Sequence, residues 1–205
     1  MKHLLILSAG MMILIAGFLS LKPDRPEITN PTPSDGPIVC FGDSLTSGTG
    51  ASPGMDYPSQ LSLLSGSDVI NAGIPGDTTQ DGLERLQEDV LSHSPGIVLI
   101  TLGGNDLKNG VDKATAFGNL RTIIESIQQK GALVVVGGID VPLFARGFGG
   151  EYRKVVEETG AVLVPNVYEG IMGDPDLMSD RIHPNDAGYG KMAALFFEAV
   201  RPYLE

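Results

Sequence analysis

A single cysteine, Cys40, is all the thiol this chain of 205 residues carries. No internal disulfide can form from it, and without a CxxC pair or a Cys/His cluster no zinc or other metal site is expected. Cys40 lies in the apolar run Ile38-Val39-Cys40-Phe41, where it reads as a small buried hydrophobe in a strand. Cations are scarce as well. Lys and Arg number 14 against 25 Asp and Glu, for a formal net charge of -11. A surface of that sign repels phosphate backbones, which excludes a nucleic-acid partner, and it gives no electrostatic hold on anionic lipid. No G-x-x-x-x-G-K-[ST] stretch occurs, and the glycine-rich loop after Phe41 holds no lysine, so a phosphate-cradling P-loop is absent. Internal repeats and a second linker are lacking too.

Long apolar stretches are confined to one place. Lys2 and His3 precede an apolar segment over residues 4–21, which Lys22 ends. The segment is long for a signal-peptide core, short for a membrane span, and not followed by an A-x-A site. Residues 1–21 therefore read as a signal peptide or a membrane anchor. Either reading exports the rest of the chain to the periplasm or the exterior, with residues 4–21 as an inner-membrane tether if they are retained. Residues 22–36 hold Pro23, Pro26, Pro31 and Pro33, a density that forbids regular structure and reads as an extended tether. The remaining residues, 37–205, suffice for one domain of about 170 residues with a full core.

Within that domain short β-branched runs alternate with helical periods. The runs are Ile38–Phe41, Val69–Ile70, Ile97–Leu102, Leu133–Val136 and Ala161–Val164. None alternates strictly, which suits strands buried on both faces of a parallel sheet. Leu83, Leu86 and Val90 share a face of a helix near 79–92. Phe117, Leu120, Ile123, Ile124 and Ile127 share one near 112–129. Tyr189, Met192, Ala193, Phe196 and Val200 stack along a last helix near 186–201, with Asn185 or Asp186 as its cap. Strands alternating with helices imply right-handed βαβ units and a three-layer α/β/α sandwich.

Open parallel sheets bind ligands at the carboxyl ends of their strands. The first strand is followed by Gly42-Asp43-Ser44-Leu45, the second by Asn71-Ala72-Gly73, the third by Gly103-Gly104-Asn105-Asp106. The last helix is preceded by Asp180-Arg181-Ile182-His183-Pro184. These polar loops share one edge. Ser44, at a strand-to-helix turn, is placed as a nucleophile. A serine hydroxyl needs a base. His3 lies in the leader and His93 ends an amphipathic helix facing solvent, which leaves His183. Asp180, three residues earlier, is close enough to reach the His183 ring and fix its tautomer. The backbone N–H groups of Ser44 and Gly73 and the side-chain amide of Asn105 are the candidate oxyanion donors. Asp43 and Asp106 read as braces for their loops. Since a base must be neutral to accept a proton, activity is expected to fall on acidification.

Together these four blocks resemble the GDSL, or SGNH, hydrolase family. The stretches Gly76-Asp77-Thr78-Thr79-Gln80-Asp81-Gly82-Leu83 and Leu102-Gly103-Gly104-Asn105-Asp106 are most similar to its bacterial multifunctional esterases. The resemblance covers residues 37 to 203. It implies a flavodoxin-like parallel sheet of about five strands, no metal or organic cofactor, and the roles just given: Ser44 nucleophile, His183 base, Asp180 its orienting partner, Gly73 and Asn105 oxyanion donors. It implies hydrolysis of carboxylic esters or thioesters, of arylesterase, lysophospholipase or acyl-CoA thioesterase type, on a small or lipid-like acyl substrate. In such relatives the region 140–150 shapes the acyl site, and here its Leu143, Phe144 and Phe148 either line an acyl channel or cap the core. A carbohydrate or cell-wall deacetylase of the same fold is the alternative enzyme. A tethered small-ligand binding module is the alternative outside enzymes.

Overall fold

The computed structural model describes residues 27–141 and 147–204. The leader expected over residues 1–21, and Leu143 and Phe144, lie outside the described residues. Among the described residues no helix is long and apolar enough to cross a membrane.

Five strands, β1 (Ile38–Gly42), β2 (Val69–Gly73), β3 (Ile97–Thr101), β4 (Leu133–Gly137) and β5 (Val162–Val164), form one sheet in the order β2-β1-β3-β4-β5. All four pairings are parallel. Around the sheet lie α1 (Ser44–Ser47), α2 (Tyr57–Ser65), α3 (Thr79–Asp89), α4 (Gly104–Asn109), α5 (Lys113–Gln128), α6 (Phe148–Thr159) and α7 (Asp186–Val200). Side chains alternate across the pleat, so each inner strand feeds two cores. Val39, Phe41, Val98, Ile100, Val134 and Val136 face the layer of α3, α5 and α6. Ile38, Cys40, Ile97, Leu99, Leu133 and Val135 face that of α2 and α7. The expected three-layer α/β/α sandwich is what forms.

Helix ends follow local chemistry. The Asp112 side chain accepts from Thr115 N and opens α5, whose Phe117, Leu120, Ile123, Ile124 and Ile127 are buried at helical spacing. Thr78 and Asp81 form a reciprocal capping box at α3. At α7 it is Asn185 that caps, accepting from Ala187 N and Gly188 N.

Three features depart from the sequence reading. The outer strands β2 and β5 are partly exposed, because the strand order makes them edges, whereas β1, β3 and β4 are buried at every position. Helix α2 was hidden by Leu63 and Leu64, which are solvent-exposed and break its apolar period. Helix α6 begins inside the region 140–150, for which no helix was expected; Gly149 and Gly150 sit in its first turn, where their propensity argues against a helix.

Residues 27–36 form neither helix nor strand, and they lie fastened along the amino-terminal edge of the sheet. Thr29 N donates to Gly160 O at 2.8 Å and Thr29 Oγ1 to Thr159 O at 3.0 Å. The Asn30 amide donates to Gln128 O at 2.8 Å and Ala132 O at 2.9 Å, closing off the end of α5. Asn30→Ala leaves both carbonyls without this donor. It is expected to cost about 1–2 kcal/mol, lowering the thermal midpoint by about 2–8 °C, with ester turnover unchanged. A melting curve identical to wild type would show that the strap contributes nothing.

Candidate active site

The register decides where the site lies. Gly42, the last residue of β1, pairs with Gly73 on one side and Thr101 on the other, so three strand ends stop at one level. The chain winds one way from β1 to β2 and the other way to β3, which opens a crevice at the carboxyl edge. Ser44 starts α1 there, with Asp43 as the cap whose carboxylate accepts from Leu45 N at 3.0 Å. Only glycine fits at residue 42: a Cβ would stand 2.3 Å from the hydroxyl oxygens of both Thr46 and Thr101. Those two hydroxyls bond each other, and that of Thr46 also bonds the Tyr57 hydroxyl at 3.0 Å, so a buried hydroxyl chain seats α1 on the sheet.

His183 reaches Ser44 from the other end of the chain. Its Nε2 lies 3.0 Å from Ser44 Oγ, and its Nδ1 lies 2.7 Å from Asp180 Oδ2. With Nδ1–H donated to Asp180, Nε2 is left to accept the serine proton. The loop is rigid in itself: Asp180 Oδ1 accepts the N–H groups of Ile182 and His183, both at 2.8 Å. Ser179 N donates to His183 O at 2.9 Å, and the Tyr168 hydroxyl donates to Ile182 O at 2.7 Å. The His183 hydrogen bond, followed by those two backbone donors, holds the Asp180 carboxyl down to a pKa of about 2.

Asn105 stands at the start of α4, its amide donating to Asp43 Oδ2 at 3.2 Å and Asp77 O at 3.0 Å. The turn before it needs Gly103, at φ +113, where a Cβ would press within 2.4 Å of the Tyr152 hydroxyl. Asp106 is fully buried and braces its loop as expected, accepting Thr79 N at 2.9 Å and the Thr79 hydroxyl at 2.7 Å.

One expected oxyanion donor does not take part as foreseen. Gly73 N–H points away from Ser44. Ile74 N donates to Gly42 O at 3.0 Å, so the preceding N–H faces the opposite edge of β2 and donates to Asn71 Oδ1 at 3.0 Å. The next glycine, Gly76, lies in a turn at φ +95. Its N–H has no hydrogen-bond partner among the described residues, and the carbonyl of its neighbour Asp77 is the one Asn105 holds. Of the two readings given for Phe148, the described residues fit the capping of the core. Phe148 is 2 % exposed and packs edge-on against Phe117 at 5.3 Å. Gly76 and Tyr168 were missed by the sequence reading; only the turn signal Ile74-Pro75-Gly76-Asp77 could have flagged the first. His93 is exposed, at the end of a single 3₁₀ turn. No metal-holding group of His, Cys, Asp or Glu occurs among the described residues.

A hydroxyl, an imidazole behind it and a carboxylate behind that, at the carboxyl edge of a doubly wound sheet, meet the geometric demands of acyl transfer by serine. Comparison with known proteins agrees. Residues 40–191 match the GDSL-like Lipase/Acylhydrolase family. The arylesterase of Vibrio mimicus is 35% identical over 158 residues, covering 72% of this chain and 79% of its own. Thioesterase 1/protease 1/lysophospholipase L1 of Escherichia coli (strain K12) is 33% identical over 156 residues, covering 72% and 75%. The crystal structure of the psychrotrophic esterase EstA from Pseudoalteromonas sp., inhibited by monoethylphosphonate, aligns with a TM-score of 0.75 at 26% identity, covering 83% of this chain and 99% of that one. The chain belongs to the GDSL-like lipase/acylhydrolase family. It is an esterase, a hydrolase of ester bonds.

Burial leaves a signature at the site. Asp43 is 4% exposed, and loss of solvent is the largest cause raising its carboxyl to about 6; Leu45 N–H and His183 oppose the rise, and Asp77 adds to it. Between about pH 4 and 6 the native state therefore keeps a proton that the unfolded chain has released. This group's contribution to stability is greatest below about pH 4 and is lost as pH rises through 6. Asp43→Asn is expected to remove that decline, on the order of 2–3 kcal/mol, in urea unfolding series between pH 4 and 7. Identical pH slopes for wild type and variant would refute it.

Proposed function

We propose that this enzyme hydrolyses carboxylic esters and thioesters of small or lipid-like acyl groups through an acyl-enzyme on Ser44. The observation that carries the reading is the unbroken line from Ser44 Oγ through the His183 ring to Asp180, with contacts of 3.0 and 2.7 Å. Ser44 Oγ attacks the carbonyl carbon while His183 Nε2 takes its proton. Asp180 stays ionised and stabilises the imidazolium. The tetrahedral intermediate collapses, and the departing alcohol or thiol takes the proton from His183. Water then attacks the acyl-enzyme, losing its proton to Nε2, and the acid leaves as Ser44 regains its hydrogen.

The developing oxyanion is received by the N–H of Ser44, the N–H of Gly76 and one hydrogen of the Asn105 amide, which turns from its resting acceptor. Two facts support this: the first two donors have no partner among the described residues, and Asn105 sits between Asp43 and the Gly76–Asp77 turn. The aryl ester, thioester and lysophospholipid activities in the relatives' names support the substrate classes. Residues 4–21, with Lys2 before them, are proposed to carry the domain out of the cytoplasm. Cell fractionation tests this, with esterase activity expected outside the cytoplasm; activity confined to the cytosol refutes it.

Ser44→Ala and His183→Ala are each expected to lower kcat on nitrophenyl esters by at least about 10³-fold, with no further loss when combined. Asp180→Asn loses less, because its side chain is 54% exposed and water can replace part of its role. Asn105→Ala lowers kcat by about 10²–10³-fold with KM little changed. A fluorophosphonate probe labels wild type and not Ser44→Ala. Retained turnover or labelling in Ser44→Ala ends the proposal. A chain-length series of oxygen esters, thioesters and lysophospholipids fixes the preferred substrate; activity confined to acetyl esters would instead indicate a deacetylase.

A further inference from the structure

Arg85, in the middle of α3, has no part in the chemistry just described, yet its guanidinium is committed in almost every direction. Nε donates to Asp77 Oδ2 at 2.6 Å. Nη1 donates to Ala72 O and to Asp89 Oδ2, both at 2.9 Å. Nη2 donates to Gly42 O at 2.9 Å, and the guanidinium carbon stands 4.4 Å from the centre of the Phe41 ring. Its side chain is 14% exposed and that of Asp77 11%, so water weakens the pair far less than it would a surface bridge.

What these partners have in common is their place in the site. Gly42 O and Ala72 O are the last carbonyls of the β1–β2 ladder, and Gly42 O is also the acceptor for Ile74 N at 3.0 Å. Ser44 follows Gly42 by two residues. Asp77 closes the turn that carries Gly76, and its own carbonyl accepts the Asn105 amide at 3.0 Å. One side chain thus fastens the strand end that presents the nucleophile to the loop that presents the opposite amides. A helix-to-sheet ion pair made only for stability would have no need of two strand-end carbonyls.

We propose that Arg85 is a positioning residue of the oxyanion site: its guanidinium sets the Gly76–Asp77 turn at a fixed distance from the end of β1, so that the Ser44 N–H, the Gly76 N–H and the Asn105 amide converge on one oxygen. The proposal rests on the oxyanion reading given above. Its action is geometric and goes through Asp77 and Gly42; Arg85 touches no reacting atom. A lysine in its place keeps the charge and loses the planar fork that serves four acceptors at once.

The test is a double-mutant cycle of Arg85→Lys with Asn105→Ala, read as kcat and KM on a nitrophenyl ester and as thermal midpoint. Arg85→Lys is expected to lower kcat by about 10–100-fold with KM within about threefold, as a donor moved by a fraction of an ångström serves the transition state more than the bound ester. In the Asn105→Ala background the same change should cost less than about threefold, because the two act on one oxyanion. Losses that multiply in the double variant overturn the proposal, as does a lowered midpoint with undiminished kcat. Full kcat in Asn105→Ala alone removes the oxyanion reading itself, and this inference with it. Should Arg85→Lys not fold, Asp77→Asn probes the same link from the other side: it preserves shape and removes the charge, and a kcat indistinguishable from wild type there overturns the proposal equally.

Discussion

One hydrogen bond, from the Ser44 hydroxyl to His183 Nε2, joins residues 139 positions apart, and the rest of the molecule is arranged around making it. Neither partner has local reason to meet the other. The sheet register brings Gly42, Gly73 and Thr101 to one level, and α7 returns the last loop to that edge. Each end of the bond is then made rigid separately. Under Ser44 lie Asp43 and the hydroxyls of Thr46, Thr101 and Tyr57. Behind His183 lie Asp180, Ser179 and the Tyr168 hydroxyl. A short loop carrying its own cap and its own turn hydrogen bonds loses little entropy when it docks, which favours the 3.0 Å contact.

The site is unusually rich in carboxylates for one that must generate an anion. Asp43, Asp77, Asp106 and Asp180 all stand within its loops, and each has different partners. Asp77 is paired with Arg85. Asp106 faces the Thr79 N–H and hydroxyl. Asp180 faces the imidazole and two backbone donors. Asp43 accepts from Leu45 N and the Asn105 amide and is 4% exposed, and loss of solvent pushes its carboxyl upward.

Much of this was legible in the sequence because it follows from local pattern plus one topological rule. Glycine-rich and polar loops after β-branched runs identify the catalytic edge, and Asp180 three residues before His183 identifies the pair. What escaped was information that only pairing supplies. Gly73 and Gly76 are equally plausible donors in one dimension; the hydrogen bond from Ile74 N to Gly42 O decides which way the Gly73 N–H points. The exposure of β2 and β5 depends on strand order, which their own residues do not encode. Helix α2 carries exposed leucines that blur its apolar period, and α6 opens on paired glycines, where packing overrides propensity. Nothing in the helical period marks Arg85, whose four acceptors lie on three separate elements and the turn after β2.

The strap of residues 27–36 has a mechanical consequence. It is fastened at Thr29 and Asn30 to carbonyls beside the starts of β4 and β5, on the edge opposite Ser44. Tension applied at residue 27 is borne first by those few hydrogen bonds, which peel one after another, while the five-strand ladder and the crevice beyond it stay unloaded. The strap acts as a strain relief, so that whatever holds or pulls this end of the polypeptide leaves the reacting atoms in register.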